Sequence, residues 1–340
     1  MIVILKTGVP EEQVQKVVSA IEAAGFRAHV SRGEERTVIG AIGTSAETRR
    51  HLMEMLEGFP FVDRVVPVLK PYKLVSAEAR AGRSTVRVGN EALGPGRFTV
   101  IAGPCAVESE EQLLAAARAV KAAGARLLRG GAYKPRTSPY DFQGLGEEAL
   151  RLLAAARAET GLPVVTEARG PEHIPKVAQY ADAIQIGARN MQNFDLLTEA
   201  GRTGMPVVLK RGLAATVEEW LKAAEYVASV GNLNIILCER GVRTFEPALR
   251  FTQDLAIVPV VKELSHLPVI VDPSHASGRR SVVPAVCRGA LGVGADGLLV
   301  EVHPDPDNAQ CDAAQQLHPD EFRTMMDQIR QLAAVMGLTA

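Results

Sequence analysis

The apolar run Leu267-Pro268-Val269-Ile270-Val271 gives way abruptly to Asp272-Pro273-Ser274-His275-Ala276-Ser277-Gly278-Arg279-Arg280. A buried strand that ends in an Asp, a Ser and a His is where α/β enzymes place their reactive groups. The same residues could instead close the strand with a capped turn, and their companions elsewhere must decide. Two further apolar runs end in comparable groups: residues 98–102 in Gly103-Pro104-Cys105, and residues 297–300 in Glu301-Val302-His303. Thiolate, imidazole and carboxylate together suit one divalent transition metal ion, Mn, Fe, Co or Zn, better than Mg or Ca. Asp305, Asp307, Cys311 and Asp312, in the stretch 304–316, are candidates for a fourth ligand. The rival use of Cys105 is as a nucleophile activated by a histidine base.

A second chemistry is anion recognition. Arg129, Lys134, Arg136, Arg189, Lys210 and Arg240 all follow short apolar runs and would converge on one mouth if those runs are the strands of a barrel. Guanidinium groups match phosphate and carboxylate oxygens in pairs, and lysine adds a compact charge. So many cations repel one another unless they face a ligand with several negative charges. Glu167 ends another run and Thr137 follows the Lys134-Pro135-Arg136 stretch.

The chain as a whole is ordinary for a soluble enzyme: 340 residues, 47% hydrophobic, 23% charged, formal net charge −1. That balance gives no global field for nucleic acid or an anionic membrane, and aromatics at 4% argue against base-stacking surfaces. The cysteines are scattered without a CxxC pair, there is no signal-peptide pattern, and no stretch is apolar enough to span a bilayer. A cytoplasmic protein is expected.

Two patterns must position these groups. Over residues 1–72 the periodicities predict strand, helix, strand, strand, helix, strand: residues 2–5, 10–25, 27–32, 37–42, 46–57 and 62–69. This βαββαβ order is the ferredoxin-like motif, here an ACT-like regulatory or interaction module. Residues 73–84 read as a linker. Residues 85–88 and the turns after them lead into residues 85–340, where a short apolar strand and an alanine-rich helix alternate eight times. The predicted strands are residues 98–102, 126–129, 163–166, 183–186, 206–209, 234–237, 268–271 and 297–300. Eight such units in a chain of this size predict an α/β fold, a (β/α)8 TIM barrel. A doubly wound sheet is the alternative, but no GxGxxG follows the first strand.

Gly103-Pro104-Cys105-Ala106-Val107-Glu108-Ser109, Lys134-Pro135-Arg136-Thr137-Ser138-Pro139, Gly187-Ala188-Arg189-Asn190-Met191-Gln192-Asn193, Asp272-Pro273-Ser274-His275-Ala276-Ser277-Gly278 and Glu301-Val302-His303-Pro304 occur in this order. Together they resemble the 3-deoxy-D-arabino-heptulosonate 7-phosphate (DAHP) synthases, in the shorter microbial type related to 3-deoxy-octulosonate 8-phosphate synthase. The resemblance covers essentially the whole chain. It implies the first step of aromatic amino-acid biosynthesis: condensation of phosphoenolpyruvate with erythrose 4-phosphate, with loss of phosphate. It further implies a metal held by Cys105, His275, Glu301 and Asp312, and phosphoenolpyruvate held by Arg129, Lys134, Arg189, Lys210 and Arg240. Pro135, Arg136 and Thr137 would hold the sugar phosphate, and Glu167 would position water. Lys134, Glu167, Cys105 and His275 would be the catalytic set. Tyrosine or phenylalanine feedback on the N-terminal module and a homotetramer are implied as well. Two other readings remain: an octulosonate synthase using arabinose 5-phosphate, and a non-catalytic amino-acid sensor. Lys134-Pro135-Arg136-Thr137 resembles the enzyme for the four-carbon sugar, since the octulosonate enzymes carry an Ala-Asn pair in place of Pro-Arg.

Overall fold

A computed structural model describes residues 1–33, 36–43, 46–66, 71–136 and 138–340, with the backbone alone for 46–50. The chain divides into two compact units, Met1–Gly82 and Arg83–Ala340. In the first, β1 (Ile2–Leu5), α1 (Glu11–Ala23), β2 (Arg27–Arg32), β3 (Thr37–Ile42), α2 (Ala46–Glu57) and β4 (Val62–Val66) follow the predicted order. The sheet runs β2-β3-β1-β4 and all its pairings are antiparallel. β1 is central and apolar throughout, as a strand covered on both faces must be. Val14, Val17, Val18 and Ile21 of α1 and Leu52 and Leu56 of α2 pack with Val3, Leu5 and Ile39 on one face. On the other face Ala79, within the segment read as linker, packs against Ile2 and Ile4. The predicted last strand reached residue 69, but residues 67–70 and the turn residues Glu34 and Glu35 lie outside the described residues.

The second unit opens with a hairpin, β5 (Val86–Val88) and β6 (Glu91–Leu93). Eight parallel strands then close a barrel: β7 (Thr99–Gly103), β8 (Leu127–Arg129), β9 (Val164–Ala168), β10 (Ala183–Ile186), β11 (Val207–Lys210), β12 (Ile235–Glu239), β13 (Val269–Val271) and β14 (Gly297–Glu301). β14 pairs with β7 over its whole length, so the strands that end near Cys105, His275 and Glu301 are neighbours. Their all-buried runs are what a sheet covered on both faces requires. The hairpin does more than lead into the body. Its Val86, Val88 and Leu93 join the inward residues Ile101, Leu127, Val165, Val208, Ile236 and Ile270 in one apolar cluster. Thr99 at the start of β7 donates to the Ala92 carbonyl at 3.0 Å, so the hairpin stoppers the end of the barrel where the strands begin.

The outer ring comprises α3 (Glu110–Ala122), α4 (Glu147–Thr160), α5 (Ile174–Tyr180), α6 (Phe194–Arg202), α7 (Val217–Ser229), α8 (Ile257–Leu264), α10 (Val283–Gly292) and α11 (Pro319–Val335), while the short, largely buried α9 (Pro273–Ser277) follows directly on β13. A 3-10 turn, Arg280–Val282, leads into α10 at Val283. Among the described residues, no helix is long and apolar enough to cross a membrane.

Candidate active site

The stretch after β13 is both a capped turn and part of a site. Asp272 caps α9, its Oδ1 accepting the His275 N–H at 3.0 Å, and Pro273 occupies the first helical position where no donor is needed. The cap fixes the backbone that carries His275. Asp272 Oδ2 lies 2.8 Å from His275 Nδ1 and 2.6 Å from Lys210 Nζ, so one buried carboxylate serves helix, ring and lysine together. Burial alone would raise this carboxyl, but His275 and Lys210 outweigh it and hold it well below the usual range. Asp272, whose role could not be read from sequence, therefore orients two neighbours.

His275 Nε2 faces the other candidate ligands, 3.3 Å from Glu301 Oε1 and 3.9 Å from Asp312 Oδ2. Cys105 Sγ lies 3.5 Å from Asp312 Oδ2. One ligand atom from each of Cys105, His275, Glu301 and Asp312 falls within 4.8 Å of all the others. The structure thus singles out Asp312 from the loop acids. It adopts a positive φ of 50°, the only non-glycine residue to do so among those described. Strain of that kind persists where surroundings over-determine the backbone, commonly at functional sites. Gly103, at φ 149°, lets β7 pass against the Arg129 carbonyl just before Cys105; a side chain there would collide with it.

The donor set fits a borderline-soft divalent ion: one sulfur, one imidazole with its other nitrogen against a carboxylate, and two carboxylates. Burial lowers the proton affinity of His275, although Asp272 and Glu301 oppose it, and so favours the neutral imidazole that a metal needs. The Glu301 and Asp312 carboxyls would be raised by burial, but His275 with Arg129 at one, and His275 with Arg250 and Lys134 at the other, hold both below the usual range. Burial pushes the Cys105 thiol well up. A free thiolate nucleophile is therefore disfavoured, whereas a bound ion would deprotonate the thiol outright.

Beside this cluster opens a cavity lined by Lys134, Pro135, Arg136, Glu167, Arg189, Lys210 and Arg240, with His275 and Asp312 on its wall. Most of the predicted cations meet there. Lys134 Nζ lies 3.0 Å from both the thiol and the carbonyl of Cys105, joining the cavity to the cluster. Arg240 lies over the Phe251 ring at 4.1 Å, and its buried Nη1 has no acceptor among the described residues. Glu167 accepts from Gln185 at 2.6 Å through Oε2, while its buried Oε1 has no partner there either. Arg136 pairs with Asp141 and reaches Cys311 Sγ at 2.7 Å. Arg129 faces the cluster. It is 3% exposed, held by the Glu301 carboxylate and the Cys105 carbonyl, and does not line the cavity. Thr137 lies outside the described residues.

Sequence reasoning missed Arg250, which enters the cavity from the loop after β12 and pairs with Asp312 at 3.3 Å. It missed Gln315 as well, whose amide reaches Glu301. Nothing in the local pattern marks Arg250, eleven residues past the end of its strand. Gln315 could have been suspected only from its place beside Asp312. Cys311, noted for its position, sits 3.3 Å from Cys105 Sγ.

Fold and site define a class: a (β/α)8 enzyme whose mouth joins a candidate metal cluster to a row of cations. Residues 76–336 match the DAHP synthetase I family, and residues 1–70 match the DAHP synthase ferredoxin-like domain. The phospho-2-dehydro-3-deoxyheptonate aldolase of Thermotoga maritima is 50% identical over 338 residues, covering 99% of each chain. Its crystal structure superposes with a TM-score of 0.79, covering 99% of this chain and 98% of that one. The 2-dehydro-3-deoxyphosphooctonate aldolase of Syntrophotalea carbinolica is 34% identical over 271 residues, covering 74% of this chain and 97% of its own. The chain belongs to the DAHP synthetase I family.

Proposed function

We propose that the barrel condenses phosphoenolpyruvate with erythrose 4-phosphate and water, giving DAHP and phosphate, with Cys105, His275, Glu301 and Asp312 holding one divalent ion, Mn, Fe, Co or Zn. The observation that carries this reading is the opening of a thiol–imidazole–carboxylate cluster onto a cation-lined cavity, with His275 and Asp312 on the shared wall and Lys134 against the Cys105 thiol. When bound, the ion supplies Lewis-acid polarisation of the sugar aldehyde. Arg189, Lys210 and Arg240 hold the carboxylate and phosphate of phosphoenolpyruvate, so that its C3 meets the aldehyde carbon in one orientation. Arg136, with Pro135 and Thr137, holds the sugar phosphate. Lys134 spans the boundary and can touch both substrates. Positive charge develops at C2 as C3 attacks; water held by Glu167 adds there, and the C–O bond to phosphate breaks. Arg129, which also neutralises Glu301, completes the set of cations for phosphoenolpyruvate.

The octulosonate reading rests on the shared barrel alone. The 50% relative spans both units, whereas the octulosonate relative covers 74% of this chain. Phosphate release measured with erythrose 4-phosphate and with arabinose 5-phosphate discriminates: faster turnover with the five-carbon sugar would sink the assignment. For the N-terminal unit the proposal is feedback by tyrosine or phenylalanine in a homotetrameric enzyme. Deleting residues 1–82 should leave kcat within a few-fold and abolish any inhibition. A full-length enzyme indifferent to both amino acids would refute that role.

A further inference from the structure

Gln315 ends a short 3-10 turn, Ala313–Gln315, and is 2% exposed. Its amide nitrogen donates to Glu301 Oε2 at 2.6 Å and to Asp312 Oδ2 at 3.3 Å, so one side chain spans both carboxylates of the cluster. Its amide oxygen accepts from Arg250 Nη1 at 3.0 Å. Chemistry dictates that orientation: a guanidinium offers only donors and ionised carboxylates only acceptors, so the amide can serve both in one sense alone. Arg250 is carried by a loop closed at its base, where Val242 and Thr252 exchange backbone hydrogen bonds of 2.9 Å each way. Neighbouring carboxylates repel, and a donor shared between them offsets part of that repulsion while fixing their separation.

We propose that Gln315, oriented by Arg250, is a positioning residue for the metal centre, holding Glu301 and Asp312 in register for a single divalent ion. This rests on the metal reading given above. Buried partners of metal ligands fix ligand orientation, and their loss typically weakens binding 10- to 100-fold. The full-length protein supplies the test through Co²⁺, whose thiolate-to-metal absorption reports Cys105 and whose dissociation constant is read by competition with a chromophoric chelator. The parent should bind Co²⁺ with a thiolate band that Cys105→Ala removes; no such band in the parent would mean that the metal reading itself is wrong. Once that band is seen, Gln315→Leu and Gln315→Asn should each weaken Co²⁺ binding by about 10- to 100-fold. Both should keep the thiolate band and alter the visible ligand-field bands, in a metal-free protein that still unfolds cooperatively. Leucine removes the donor, and asparagine is too short to span both carboxylates. A dissociation constant within twofold of the parent, in whichever variant folds, overturns the proposal.

Discussion

On one side of the barrel mouth, at the ends of β13, β14 and β7, the carboxylates are answered by the protein itself: Asp272 by Lys210 and His275, Glu301 by Arg129 and Gln315, Asp312 by Arg250, although His275 Nδ1 and Arg129 Nε make no hydrogen bond among the described residues. On the other side, Arg240 keeps a buried nitrogen with no acceptor, and Glu167 a buried oxygen with no donor, among the described residues. The contrast separates two jobs. Groups that fix the geometry of a small ion must be immobile before it arrives, so their hydrogen bonds are made within the chain. Groups that receive a polyanion keep bonding capacity in reserve for it.

The sharpest way to break this contrast is to remove a ligand. Cys105→Ala and His275→Ala should each reduce phosphate release by about a thousandfold or more, with circular dichroism of the parent; retained activity in either would defeat the account. Asp272→Asn should follow, because the His275 ring loses the carboxylate charge beside its Nδ1 and Lys210 its counter-charge. A fall in kcat of about 10- to 100-fold is expected, with weaker metal binding read by chelator competition. Arg240→Ala probes the other side. Losing charge-assisted bonds of about 1.5–3 kcal/mol should lower kcat/KM for phosphoenolpyruvate by roughly 10- to 100-fold, mainly through KM, with metal affinity unchanged. A change in metal affinity of the size seen for Asp272→Asn would erase the distinction between the two sides.

The smallest effect is on stability. Glu239 is fully buried at the end of β12, accepting from the Gly241 N–H and from Gln253, and burial pushes its carboxyl up to about 8. The folded chain therefore binds a proton that the unfolded chain releases above its ordinary carboxylate range. Stability from this group is full below pH ~4.5 and declines as pH rises through about 8. Glu239→Gln should raise Tm at pH 8 by about 2–4 °C and leave it unchanged near pH 4.5, as followed by calorimetry. An equal gain at both pH values would show that packing, not ionisation, is responsible.

The barrel was legible because parallel strands covered on both faces must be short, apolar and regularly spaced, and the alternating helices carry small residues toward them. Strand ends were less so: Glu167, Glu239 and Glu301 lie inside β9, β12 and β14, since ladder pairing continues past the point where polarity returns. The hairpin residues Val86, Val88 and Leu93 looked apolar in sequence, but nothing there says which core they would fill. The cluster could be anticipated because its members follow adjacent strands. The pairings of Asp272 with Lys210, Arg129 with Glu301 and Arg250 with Gln315 span 62, 172 and 65 residues, distances over which local pattern carries no information.

Phosphate release from phosphoenolpyruvate and erythrose 4-phosphate, measured before chelation, after it, and after a divalent transition metal is restored, tests the central claim most directly. The account predicts turnover that is lost on chelation and regained with Mn²⁺, Fe²⁺, Co²⁺ or Zn²⁺. Undiminished turnover in a chelated protein verified to be metal-free would contradict it.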